Sequence, residues 1–180
     1  MAKAVLTISS KNYSSWSLRG WLLCKMAGLE FEEEVLSSDD PSTRAELLLL
    51  SPSFLVPCLR HEGVKVWDTL AIAEYLAEIK PKAPLLPQDR ATRAHCRAVS
   101  GEMHSGFHNL RSALPMNLKA HFRGFRVWSG AQGDIDRVVA IWRECLAAYR
   151  DTILEWAPML EWTAAAKLEP EELEELDVEF

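Results

Sequence analysis

The chain has 180 residues, 48% of them hydrophobic, and a formal net charge of −6 at pH 7. This supports a buried core in one domain or two small ones, and the acidic balance without a basic run argues against nucleic acid as the main partner. No apolar stretch approaches membrane-spanning length, no signal peptide shows ahead of the short apolar run Ala4 to Ile8, and the scattered Cys24, Cys58, Cys96 and Cys145 contain no C-x-x-C, which points to free thiols in a reducing cytoplasm.

In chain order, Ala4 to Ile8 predicts a strand and Ser9 to Ser15 a polar loop. A helix follows from about Ser15 to Ala27, with Leu18, Trp21, Leu22 and Met26 on one face and Gly28 as its stop. Phe31 to Leu36 predicts a second strand, and Asp39-Asp40-Pro41 opens a further helix that ends before Ser51-Pro52. Cys58 to His61 and Val64 to Trp67 are short β runs separated by Glu62-Gly63, a hairpin signal. Asp68 or Thr69 then caps a helix with Ile72, Tyr75, Leu76 and Ile79 at helical spacing. The βαβα order followed by ββα supports a thioredoxin-like α/β domain over residues 1–80.

Residues 81–89 hold Pro81, Pro84 and Pro87 and read as a semi-stiff linker. The remainder, 90–180, reads as all-helical. Arg90 to Ala113 is one long helix or two, with Gly101 and Gly106 inside it. Asp134 is expected to cap an amphipathic helix whose stripe, Ile135, Val138, Val139, Trp142, Leu146 and Tyr149, forms core. Met159 to Lys167 predicts a last helix, and Glu169 to Phe180 a solvated acidic tail. His104 and His108 would share a helix face. The H-E-x-x-H glutamate and a third ligand are missing, so no metal is expected.

The string Val56-Pro57, hairpin, Asp68-Thr69-x-Ala71-Ile72-x-x-Tyr75-Leu76 resembles the glutathione-binding half of the glutathione S-transferase superfamily. The resemblance implies a cis Val56–Pro57 bond, backbone contacts from Val56 to the cysteinyl part of glutathione, and Asp68 and Thr69 on its γ-glutamyl end. Tyr13-Ser14-Ser15-Trp16-Ser17-Leu18-Arg19 resembles the serine motif of the zeta-like classes. It implies Ser14 as the group that activates the thiol, with Ser15 next and Tyr13 third. A thiol with a pKa of about 8.5 is only a few per cent ionised at neutral pH, and a hydroxyl proton aimed at the sulfur favours the thiolate. These serines could equally cap the helix, and Arg19 either sets the site's charge or lies in solvent. Phe54-Leu55 stands where relatives often place a side chain that reaches the glycyl carboxylate.

Ser100 to Asn117, S-G-E-M-H-S-G-F-H-N-L-R-S-A-L-P-M-N, resembles the helical domain of a bacterial branch of the same family. This implies a second-substrate pocket with Tyr13, Met103, His104, Phe107 and Arg111. Near residue 150 the helical domain reads as shortened by roughly forty to fifty residues, below its usual core size.

The expected activity is glutathione transfer to a small electrophile, with glutathione as co-substrate and a homodimer as the assembly implied by the family. Glutathione-dependent cis–trans isomerisation of the maleylacetoacetate type is an alternative, as is a non-catalytic binding or dimerisation module. A dithiol oxidoreductase lacks its C-x-x-C, and Cys24 lies well inside the first helix.

Overall fold

The computed structural model describes residues 4–36, 56–122, 124–145 and 156–169. The helix expected from Asp39 and the residues Phe54 and Leu55 lie outside these, as do the junction near residue 150 and the tail beyond Glu169.

Four strands form one mixed sheet in the order β2-β1-β3-β4, with β1 Ala4–Ile8, β2 Phe31–Val35, β3 Cys58–His61 and β4 Val64–Trp67. β1 runs parallel to β2, with Leu6 opposite Glu33, and antiparallel to β3, with Leu6 opposite Leu59. The β3–β4 turn places Glu62 at φ 51° and Gly63 at φ 81°. Two consecutive positive φ angles suit the twist of a two-residue hairpin, and glycine takes the second without steric cost.

Helices α1 (Ser15–Met26) and α2 (Thr69–Ile79) pack on the sheet. The buried face of α1 is Ser17, Gly20, Trp21 and Cys24. The expected face, Leu18, Trp21, Leu22 and Met26, is therefore rotated; Leu18 and Leu22 only flank the core. Small residues at 17 and 20 let the helix backbone approach its neighbours closely, which an apolar count along the sequence does not register. Beyond the prolines come α3 (Arg90–Ser105), α4 (His108–Ala113), α5 (Gln132–Glu144) and α6 (Ala157–Leu168). The Arg90–Ala113 pattern is thus two helices. The chain breaks at Gly106-Phe107, where Phe107 adopts φ 66°, so His104 and His108 belong to different helices. Asp134 lies inside α5 rather than capping it; its Oδ2 accepts from the Leu110 N–H of α4 at 2.9 Å. Val138 and Ile141 of α5 are buried against Phe107, while Trp142 is 55% exposed, so the expected core stripe is only partly buried.

The last helix returns to the first part of the chain. Trp162 is fully buried, and its ring meets Trp21 edge-on with 5.4 Å between centroids. Its indole N–H donates to the Lys11 carbonyl at 2.9 Å, and Lys25 reaches Glu161 at 3.0 Å. Truncating a buried tryptophan typically costs about 3–5 kcal/mol.

Cys24 sits in this core with no exposed surface. Burial pushes its thiol from an ordinary value of 9.0 to about 12. In the unfolded chain the thiol ionises first, so this contribution to stability is whole below about pH 9 and is lost as pH rises toward 12, by up to about 1.4 kcal/mol per pH unit. Urea midpoints measured on both sides of pH 9 should fall more steeply for the wild type than for Cys24→Ala. Parallel curves would remove Cys24 as the source of alkaline instability.

Candidate active site

The β1–α1 loop and the start of α1 form one wall of a cavity of about 560 Å³. Tyr13, Ser14, Ser15, Trp16 and Arg19 line that wall, and Met103 of α3, Phe107 at the break, and Leu110 and Arg111 of α4 face them. The structure therefore brings together the candidate hydroxyls and three of the predicted pocket residues of the helical part: Met103, Phe107 and Arg111.

Ser14 is the N-cap of α1, with extended backbone at φ −94° and ψ 93°. Its Oγ accepts from the Ser17 N–H at 3.2 Å and donates to the Ser17 Oγ at 2.9 Å. Ser17 is buried, and its Oγ also accepts from the Ser9 N–H at 3.1 Å. The Ser15 hydroxyl has no hydrogen-bond partner among the described residues. Both serines stand where the unpaired N–H groups and the partial positive charge of a helix N-terminus favour an anion.

The Val56–Pro57 peptide bond is cis. Pro57 is fully buried against α1, and Gly20 makes room for it: a Cβ at position 20 would lie 2.5 Å from the proline Cγ and 2.6 Å from its Cβ.

Asp68 caps α2, its Oδ1 accepting from Leu70 N–H at 2.8 Å and Ala71 N–H at 3.3 Å. It holds a positive φ of 77°. A non-glycine residue with that backbone conformation is uncommon and is often found at functional sites. The other carboxylate oxygen, Oδ2, lies 3.1 Å from His104 Nε2, and Thr69 Oγ1 lies 3.5 Å from His104 Nδ1. His104 thus stands beside the Asp68-Thr69 pair and not among the residues lining the cavity. It joins the two through Trp16, whose ring it meets edge-on at 4.9 Å.

Trp16 also carries two guanidinium groups, Arg19 at 4.2 Å and Arg111 at 5.2 Å from its ring centroid. Cation–π attraction offsets part of the cost of crowding two positive charges. Burial, and next the nearby Arg111, lower the Arg19 pKa to about 10, against the opposing pull of Asp68. Arg111 spends donors on the Met103 and Gly106 carbonyls, tying off the end of α3. Two cations, one from each wall, meeting at the Trp16 ring create a local preference for an anion in the cavity.

Trp16, Ser17 and Gly20 are site residues that motif reading does not find. Gly20 leaves one trace, a lone glycine inside a helical pattern. Ser17 is the third serine of the S-S-x-S string, and Trp16 leaves no signal of its function in the sequence.

The chain is similar in sequence and fold to known proteins. Residues 13–79 match the family described as "Glutathione S-transferase, N-terminal domain". A probable maleylacetoacetate isomerase of Caenorhabditis elegans is 35% identical over 120 residues, 65% of this chain and 55% of that protein. Glutathione S-transferase 1 of Dianthus caryophyllus is 36% identical over 113 residues, 62% of this chain and 51% of that protein. The chain spans about half the length of these curated relatives. Among solved structures, a Burkholderia glutathione transferase homolog with bound glutathione superposes with a TM-score of 0.62 at 24% identity, covering 93% of this chain and 99% of that one. The fold is a thioredoxin-like domain of the glutathione S-transferase type followed by helices.

Proposed function

We propose that this chain, with its glutathione S-transferase N-terminal domain, binds glutathione, stabilises its thiolate and transfers it to a small electrophile held in the cavity. The observation that carries this reading is the opposition of the Tyr13-Ser14-Ser15 hydroxyls, at a helix start, to the apolar wall of Met103, Phe107 and Leu110. Val56 offers main-chain groups to the cysteinyl part of the ligand. Asp68 and Thr69 take its γ-glutamyl end, with His104 holding the far side of the Asp68 carboxylate. Ser14 turns its proton from Ser17 to the sulfur, while its lone pair stays on the Ser17 N–H. Four free thiols suit a cytoplasmic setting, and a homodimer completes the proposal.

Arg19 and Arg111 favour an electrophile with a carboxylate. The same pair, with relatives named maleylacetoacetate isomerase, favours a second reading. The thiolate adds to a conjugated double bond, forming a C–S bond. The resulting single bond rotates, and the C–S bond then breaks, so the thiolate leaves unchanged.

Thermal unfolding with reduced glutathione tests the proposal. A ligand selective for the native state stabilises it by about 2.7 kcal/mol at a hundredfold excess over its Kd, or about 5–10 °C for a chain of this size. A cooperative transition that does not move would leave a binding or dimerisation module as the better description. Incubation with glutathione and a cis-configured unsaturated carboxylate separates the two chemistries: transfer consumes glutathione, and isomerisation returns it.

A further inference from the structure

Glu169 follows α6 and is expected from sequence to lie in a solvated tail. Instead its side chain fills a cradle in the β1–α1 loop. Oε1 accepts from the Lys11 N–H, and Oε2 accepts from the Asn12 N–H at 2.9 Å and the Ser10 hydroxyl at 2.6 Å. Its carbonyl accepts from Lys119 Nζ. Two successive main-chain N–H groups and a hydroxyl converging on one carboxylate form an anion-binding nest.

The nest is built into the wall that carries the candidate hydroxyls. Ser10 Oγ, oriented by donating to Glu169, accepts from the N–H groups of Asn12 and Tyr13, each at 3.1 Å. The Ser10 carbonyl accepts from the Ser14 N–H at 3.0 Å. The buried Asn12 side chain ties the same loop to a third segment, accepting from the Leu118 N–H at 2.8 Å and the Lys119 N–H at 3.0 Å. Without the carboxylate, the Ser10 hydroxyl has no fixed direction, and the N–H groups of residues 11 and 12 lose a charged acceptor.

We propose that Glu169 is a positioning residue: by occupying this nest it fixes the Ser10–Ser14 loop, and through it the hydroxyl that activates the thiol. This rests on the proposed thiol activation. It predicts a separable effect, because Glu169 touches the loop and does not line the cavity.

The test measures thiolate absorbance of bound glutathione against pH in the full chain, for the wild type, Glu169→Ala and Glu169→Gln. Both variants are expected to bind glutathione within about threefold of the wild type and to raise the bound thiol's pKa by roughly one unit, so that the whole thiolate titration moves up by about one pH unit and the thiolate fraction falls about tenfold only at pH values well below both pKa values. Acetate or formate at tens of millimolar, roughly, should move the Glu169→Ala curve back toward the wild type by filling the emptied nest. Glu169→Gln keeps the shape but not the charge, and reads the same effect if the alanine variant does not fold. Curves that superimpose on the wild type, or an Ala variant indifferent to acetate, would overturn the inference. A wild type without a thiolate signal would overturn the proposed function and this inference with it; a wild-type signal with unchanged variants would overturn the inference alone.

Discussion

Gly20→Ala is expected to destabilise the protein by about 1–3 kcal/mol and to weaken glutathione binding by roughly an order of magnitude, a loss of about 1.4 kcal/mol. In a helix considered alone the sign would be opposite, because alanine is favoured over glycine by about 1 kcal/mol. Here the added methyl would lie 2.5 Å from Pro57 Cγ. The proline is fully buried and its ring has no rotamer with which to withdraw. Either α1 tilts or the Val56–Pro57 segment moves outward, carrying with it the main-chain groups proposed for the cysteinyl part of glutathione. Thermal unfolding and calorimetric titration with glutathione read both effects. A stable variant with wild-type affinity would detach Val56 from ligand binding.

Ser14→Ala is expected to raise the bound thiol's pKa by about 1–2 units, the equivalent of one charge-assisted hydrogen bond of roughly 1.5–3 kcal/mol. The fold should lose about 1 kcal/mol as well, because the same oxygen caps α1 through the Ser17 N–H. Capping and thiol activation are compatible: the cap uses a lone pair, and activation uses the proton. Glutathione binding should persist, since the contacts proposed for Val56, Asp68 and Thr69 remain. A thiolate titration that matches the wild type would transfer the role to Ser15, whose hydroxyl lines the same cavity with no partner among the described residues. Ser15→Ala is the matched control, because it leaves the cap intact.

The features legible in the sequence are those set by neighbours along the chain. Glu62-Gly63 fixes the hairpin locally, Asp68 announces the start of α2, and the serine string marks the start of α1. Each depends on backbone preferences within a few residues. The features that escape reading are made by distant partners. Glu169 meets Ser10 across 159 positions, and nothing in the acidic composition of residues 169–180 singles out the carboxylate that is clasped. Asp134 has the composition of a cap, and it is one, but for Leu110 of another helix. The rotated face of α1 escapes for a related reason: Ser17 and Gly20 are buried by close approach, and hydrophobicity does not record closeness. His104 is expected from its motif in the second-substrate pocket and stands instead beside Asp68 and Trp16, outside the cavity lining. Its partners, Asp68 and Trp16, follow only once the helices stand against the sheet.

The packing of Trp162 on Trp21 has a bearing on how this protein can be dissected. The proline-rich stretch at 81–89 invites a cut that would release the first eighty residues as a free-standing unit. Such a fragment would leave behind the indole that completes its own interior, together with the hydrogen bond to Lys11. It would present an apolar depression where the intact chain has a filled one. The sheet's compact body is thus discontinuous along the polypeptide: its finishing piece is supplied by residues near the far end, and the intervening helices are an insertion between the two. Measured melting of the whole chain should be read as that of one cooperative body, not as the sum of two.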